Sequence, residues 1–327
     1  MSSRPIPPPS SVLITGASGF VGRSLLAAAA PLRVRAAVRS DPVPEFAGEQ
    51  AVVGEIHGQT DWSQALAGID GVVHLAARVL VMKPAAKDRS EFERTNVLGT
   101  ERLAYAAAQS GVKRFVYLSS IKVNGESSGD RRFRADDVPH PEDEYARSKL
   151  EAERRLEAIE GATGMCVSIV RSPLVYGPGV RGNFYRLLSL VRSGLPIPLA
   201  AVANVRSMAS VWNLCDLVLA LLRHERSMSG VFLAADAEAV STAELVHRLA
   251  GFMHRPARLF PMPVAALRLL AALAGRTAEL KRLCDSLAID ISETRARLGW
   301  SPPLTLDAGL GRTVQWYAEE IARRAAR

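Results

Sequence analysis

The sequence is poor in cysteine: its 327 residues hold three, Cys166, Cys215 and Cys284, far apart and in no C-x-x-C spacing. That excludes a disulfide framework and a cysteine-built zinc site, and points to a reducing compartment. The six histidines show neither a triad nor a metal-ligand spacing, so no metal is expected. No run of 18 uncharged apolar residues occurs, and residues 1–10 contain no apolar stretch of the signal-peptide kind. The protein is therefore read as cytoplasmic, without a membrane span. Acidic residues are outnumbered by basic ones, 33 against 41, for a formal charge of +8. That favours anionic ligands, but the densest basic cluster, Arg131, Arg132 and Arg134, lies among Asp130, Asp136 and Asp137. A dedicated nucleic-acid face is not expected.

Hydrophobic residues make up 48% of the chain and charged ones 23%, the composition of a soluble globular protein. After a Pro-rich leader read as disordered, Val12–Thr15 has the pattern of a buried parallel strand, and an Ala-rich helix runs from Phe20 toward Pro31. Strands follow at Val34–Val38, Ala51–Val53, Gly71–Ala76, Arg114–Ser119 and Cys166–Arg171. Helices are expected at Trp62–Leu66, Glu91–Ser110 and Tyr145–Ile159. This alternation predicts an α/β fold, a doubly wound parallel (Rossmann) sheet with a second, smaller, mainly helical domain. Residues 10–176 plus about 207–236 form the expected dinucleotide domain, and 177–206 plus about 237–327 the substrate domain. Pro261–Leu273 is apolar apart from Arg268; burial as a core face is the expectation, with a membrane-surface helix as the rival.

Two distant segments carry the chemistry. In Thr15-Gly-Ala-Ser-Gly-Phe-Val-Gly22, the glycines Gly16, Gly19 and Gly22 join a strand to a helix, so backbone amides at a helix N-terminus meet a pyrophosphate. In Tyr145-Ala-Arg-Ser-Lys149, a phenol and a cation lie one helical turn apart. A phenol near pKa 10 is a poor base at neutral pH, and an adjacent cation favours its ionised form. His74 is expected to be a packed strand residue without a catalytic role, and Asp216 a helix cap.

These segments, with His74-Leu-Ala-Ala77, Asn96-Val-Leu-Gly-Thr100, Leu118-Ser-Ser120, Arg171-Ser-Pro-Leu-Val-Tyr-Gly-Pro-Gly179 and Leu298-Gly-Trp300, make the chain resemble an extended short-chain dehydrogenase/reductase of the nucleotide-sugar epimerase/dehydratase family. The resemblance implies Tyr145 as acid/base, Lys149 on the nicotinamide ribose, and Ser120 on the reacting sugar oxygen, with Ser119 the neighbouring alternative. It implies a cofactor site of Gly16, Ser18, Gly19, Phe20, Val21, Gly22, Arg39, Glu55, Ile56, Leu75, Ala76, Ala77, Asn96, Tyr145, Lys149 and Ser172. Asn183 and Arg206 match positions that contact the substrate diphosphate. It also implies a homodimer paired through the helices at 91–110 and 145–159.

Three departures bear on the reaction. Family members that use NAD carry an acidic residue after the second strand; here that strand ends in Arg39, which suits a 2′-phosphate and favours NADP over NAD, although Asp41 follows two residues on. Glu55 stands where the family has an aspartate contacting adenine. Asn124 stands where many epimerases have an aromatic. Epimerisation at C4 with retained NAD and reduction of a 4-keto sugar with NADPH both fit, on a nucleotide-activated sugar of the UDP-N-acetylhexosamine type in surface-polysaccharide precursor synthesis. Dehydration is disfavoured because Ser120-Ile121-Lys122 offers no acidic pair. A non-catalytic NADP-binding regulator is the alternative from another class. A lipid-diphosphate substrate near a membrane is a third possibility.

Overall fold

The computed structural model describes residues 6–79 and 87–326. Seven parallel strands form one sheet in the order β3-β2-β1-β4-β5-β6-β9. They are β1 (Ser11–Thr15), β2 (Arg33–Val38), β3 (Glu49–Val52), β4 (Gly71–His74), β5 (Arg114–Ser120), β6 (Cys166–Ser172) and β9 (Gly230–Leu233). A separate parallel pair, β7 (Leu174–Tyr176) with β8 (Met208–Ser210), sits where the chain leaves the sheet and returns to it. The central strands are buried throughout because helices cover both faces, which is why Ser11-Val-Leu-Ile-Thr15 reads as a continuous apolar run rather than an alternation.

The helices are α1 (Phe20–Ala28), α2 (Ser63–Leu66), α3 (Lys87–Phe92), α4 (Gly99–Gln109), α5 (Glu144–Thr163), α6 (Gly182–Ser193), α7 (Val211–Arg223), α8 (Thr242–Phe252), α9 (Val264–Leu273), α10 (Thr277–Cys284), α11 (Ser292–Leu298) and α12 (Leu306–Ala325). A π-helical stretch, Glu93–Leu98, joins α3 to α4. Strand order reverses between β1 and β4, so the crevice beyond their C-terminal ends is the topological switch point where such sheets bind ligands. On one face of the sheet Leu25, Val34 and Leu214 pack together; on the other, Trp62, Leu103, Phe115 and Leu156 do. A third core of Tyr176, Phe184, Leu249 and Leu310 holds the mainly helical second lobe.

Three expectations are corrected. Of the leader, residues 1–5 lie outside the described residues, but residues 6–10 are tied down. The Ile6 carbonyl accepts from the buried Arg114 guanidinium, and the Ser10 and Ser11 hydroxyls both donate to Asp70. Asp216 does not cap α7; Ser210 does, through Asn213 N at 3.2 Å, while Asp216 accepts the Trp300 indole N–H at 2.6 Å. The apolar helix α9 is a core face only in part: Leu267 is buried in the third core and Val264 packs against it, while Leu269, Leu270 and Leu273 are exposed.

Candidate active site

The glycine turn is tight enough to fix its own composition. Gly16 has φ +66°, and a Cβ there would lie 2.7 Å from Ala76 N in the loop after β4. A Cβ on Gly22 would come within 2.1 Å of the Gly16 carbonyl, which also accepts from Gly19 N at 2.9 Å. The first turn of α1, with Phe20 and Val21, has no side-chain cap and no acidic residue, so its amides remain available to an anion. This concave backbone fits a dinucleotide pyrophosphate. Ser18 is exposed at the rim. The Phe20 ring reaches across to the other lobe, within 3.6 Å of the Cβ positions of Gly177 and Gly179.

The wall beside this turn hangs from β4. Leu75 N donates to the Thr15 carbonyl at 3.3 Å and Ala76 N to Thr15 Oγ1 at 3.2 Å; Ala77 follows, half-buried. Asn96, expected to touch cofactor, has its amide committed elsewhere. Its Oδ1 accepts from Arg78 N at 2.8 Å, and its Nδ2 donates to the Arg78 carbonyl and to Ser148 Oγ. Ser148 Oγ donates in turn to the Tyr145 carbonyl at 2.7 Å. Asn96 thus fastens the β4 loop to the helix that carries Tyr145. Arg39 is exposed just past β2, with no ion pair among the described residues. Glu55 follows Gly54, which has φ +70°, and pairs with Arg94 at 3.0 Å; Ile56 packs beside Gly99.

The residues expected to carry the chemistry gather at the C-terminal end of β5 and the start of α5. Asp143 caps α5 through Ala146 N at 2.7 Å and holds Lys122 Nζ at 2.7 Å. Burial opposes its charge, but these partners outweigh burial and lower its pKa. Tyr145 and Lys149 then project from successive turns of one face. Burial and Asp143 push the Tyr145 phenol up to about 12, against a hydrogen bond from Ser120. Burial pulls Lys149 down to about 7, against the nearby Glu153 carboxylate. Its ammonium donates to the Leu118 carbonyl at 2.8 Å and to the Tyr117 hydroxyl at 3.2 Å, and lies 4.5 Å from the centre of that ring. Ser172 pairs in register with Ser120 on the adjacent strand.

Ser119 is corrected out of the substrate set. Strand alternation turns it to the face opposite Ser120, where its buried hydroxyl donates to Glu153. There Glu153 and Arg171 form a buried ion pair, NH2 to Oε2 at 2.6 Å, and Arg171 NH1 donates to Asn124 Oδ1 at 3.0 Å. Asn124 Nδ2 donates onward to the Arg134 carbonyl at 2.8 Å, so both ends of this buried amide are used structurally. Glu153 and Arg171 were missed as partners of the site, although Tyr145, Lys149 and Glu153 are spaced four apart on one helix face.

His74 bridges the core: its Nδ1 lies 2.6 Å from Thr15 Oγ1 and its Nε2 2.9 Å from Thr100 Oγ1, and burial then Lys149 drive its pKa down to about 3. In the second lobe, Asn183 is exposed in the first turn of α6. Arg206 is largely sequestered: its NH1 donates to the Asp285 carbonyl at 3.0 Å, and burial lowers its pKa against the attraction of Asp285 and Glu126. Among the described residues no cluster suits a metal, and no helix is long and apolar enough to cross a membrane.

A model of the NAD dependent epimerase/dehydratase family matches residues 12–233. A UDP-glucose 4-epimerase of Vibrio cholerae is 40% identical over 317 residues, covering 95% of this chain and 96% of that protein. An Escherichia coli O157:H7 N-acetyl-alpha-D-glucosaminyl-diphospho-ditrans,octacis-undecaprenol 4-epimerase is 28% identical, covering 93% and 94%. The solved structure of MoeE5 in complex with UDP-glucose and NAD is 28% identical, with a TM-score of 0.75 over 95% of this chain and 99% of that one.

Proposed function

The chain is an enzyme that belongs to the NAD dependent epimerase/dehydratase family, and on that premise we propose that it inverts C4 of a UDP-linked hexose or N-acetylhexosamine. The observation that carries this reading is the convergence of Ser120, Tyr145 and Lys149 at one end of β5, where Ser120 pulls the phenol's pKa down against burial and the Lys149 ammonium donates to the Leu118 carbonyl. The glycine turn, the amides of Ser18, Phe20 and Val21, and the Leu75–Ala77 wall would hold the dinucleotide, with Arg39, Glu55 and Ile56 on its adenosine side. Ser172 and Lys149 would lie toward its nicotinamide side. A bound nicotinamide supplies the acceptor and donor for the C4 hydride. Tyr145 accepts the proton of the sugar 4-hydroxyl as the carbonyl forms and returns it when the opposite alcohol is made. Ser120 hydrogen-bonds the same oxygen. The Lys149 ammonium favours the phenolate, offsetting the burial that otherwise keeps the phenol protonated. Asn183 and Arg206 would face the diphosphate, for which a guanidinium's planar donors are suited.

Tyr145→Phe tests the assignment. It should lower interconversion of UDP-linked C4 epimers about 10²- to 10⁴-fold in a protein that still binds dinucleotide by calorimetry; a variant that turns over within about tenfold of the parent refutes Tyr145 as the proton carrier.

A second reading, reduction of a 4-keto sugar by NADPH, is supported by Arg39, a cation without an acidic partner among the described residues where a 2′-phosphate would lie. Identifying the nucleotide released on denaturing the purified enzyme separates the two. Retained NAD supports epimerisation; protein that emerges empty and prefers NADPH supports reduction.

A further inference from the structure

The helical hairpin of α9 and α10 combines two properties that rarely share a solvated surface. Apart from Arg268, α9 is apolar on all sides, the pattern of a helix that is covered. Yet Leu269 is 63% exposed, Leu270 54% and Leu273 79%, and Phe260 is exposed just ahead of the helix. Around these residues the sequence is strongly basic. From Arg255 to Cys284 there are six arginines and lysines against one acid, Glu279, a net +5 out of the chain's +8. Arg258, Arg276, Lys281 and Arg282 are exposed and have no acidic partner among the described residues. Arg268 pairs with Asp285 at 3.5 Å.

We propose that the α9–α10 hairpin is a docking surface for an anionic lipid bilayer, with α9 lying in the plane of the headgroups. Ten helical residues span about 15 Å, half the roughly 30 Å of a hydrocarbon core, so the helix lies on a membrane rather than crossing it. Leucines flanked by cations match the boundary between acyl chains and acidic headgroups. A nucleic acid would neutralise the cations and leave the leucines wet, and a second copy would set +5 against +5. The surface adjoins the substrate lobe's candidate anion site, because Asp285, which pairs with Arg268, also accepts from Arg206 through its carbonyl. The proposal stands on this surface alone, and its test reads binding rather than turnover, so it fails or survives independently of the reaction assigned above.

The test is sedimentation of the full chain with vesicles of phosphatidylcholine, alone or mixed with phosphatidylglycerol. Binding is expected to the mixed vesicles only, and to fall as salt is raised. Lys281→Ala and Arg282→Ala should each weaken it about fivefold, and Leu269→Asp with Leu273→Asp by at least about tenfold. All these variants should keep the parent's melting temperature and dinucleotide affinity. No sedimentation with mixed vesicles at low salt overturns the proposal. So do leucine variants that melt like the parent and still bind like it. A concentration-dependent dimer abolished by the leucine changes, in a chain that ignores vesicles, makes a second copy the occupant and also overturns it.

Discussion

Replacing Arg171 with methionine isolates the ion pair beneath the active site. In the folded protein the Glu153 carboxylate is buried and takes three contacts from Arg171, at 2.6, 3.1 and 3.2 Å, besides the Ser119 hydroxyl. Methionine fills most of the arginine's volume, so the main loss is charge compensation rather than packing. A buried carboxylate left with one hydroxyl donor costs about 3–5 kcal/mol, a large share of the roughly 5–15 kcal/mol that holds a domain folded. At about 2 °C per kcal/mol for a chain of this size, the melting temperature should fall about 6–10 °C. The companion variant Glu153→Leu strands the guanidinium and should cost a similar amount. The double variant removes both charges and leaves only Ser119 and Asn124 short of a partner, at about 1 kcal/mol each. It should therefore be more stable than either single variant and within about 2–3 kcal/mol of the parent. Chemical denaturation of all four proteins, checked by calorimetry, gives the coupling energy. A double variant whose loss equals the sum of the singles would refute the reasoning, because the two residues would then not be compensating each other.

Two further outcomes follow from the same site. Burial holds Lys149 near 7 in the folded protein against an ordinary 10.5, so between about pH 7 and 10.5 the unfolded chain binds the extra proton and stability rises with pH across that window. Lys149→Met should flatten that rise in melting temperature for protein freed of nucleotide, and an unchanged slope would remove Lys149 as its source. Gly22→Ala would set a Cβ 2.1 Å from the Gly16 carbonyl, forcing α1 away from the turn. NADH fluorescence titration should show affinity reduced at least about tenfold, and parental affinity would mean that the turn is not the pyrophosphate site.

The parts of the fold legible in the sequence were those with a local cause. Val12–Thr15, the glycine turn and the Ala-rich α1 announce themselves because strand burial, positive φ and helix propensity act within a few residues. The Tyr145/Lys149 pair was legible because one helical turn fixes its spacing. What stayed hidden depends on partners distant in sequence. Asn96 fastens the β4 loop to α5 through Arg78 and Ser148, and no local spacing encodes that pairing. Ser119 and Ser120 are equivalent in a string of letters, and only the pleat of β5 sends one to Glu153 and the other toward Tyr145. The exposure of α9 was illegible because an apolar pattern specifies that a helix is covered but not by what.

The return of the chain to the sheet has a consequence for its synthesis. β9 completes the edge beside β6, yet all of residues 173–229 intervene, and most of that stretch is spent on the start of the other lobe and on α7. Until residues 230–233 leave the ribosome, β6 presents an open row of amides and carbonyls flanked by Val167, Ile169 and Val170, the kind of edge that recruits a stranger's strand. A nascent chain stalled before Gly230 thus carries an open β6 edge that the full chain covers with β9, and any cut between residues 176 and 230 parts the sheet from its last strand.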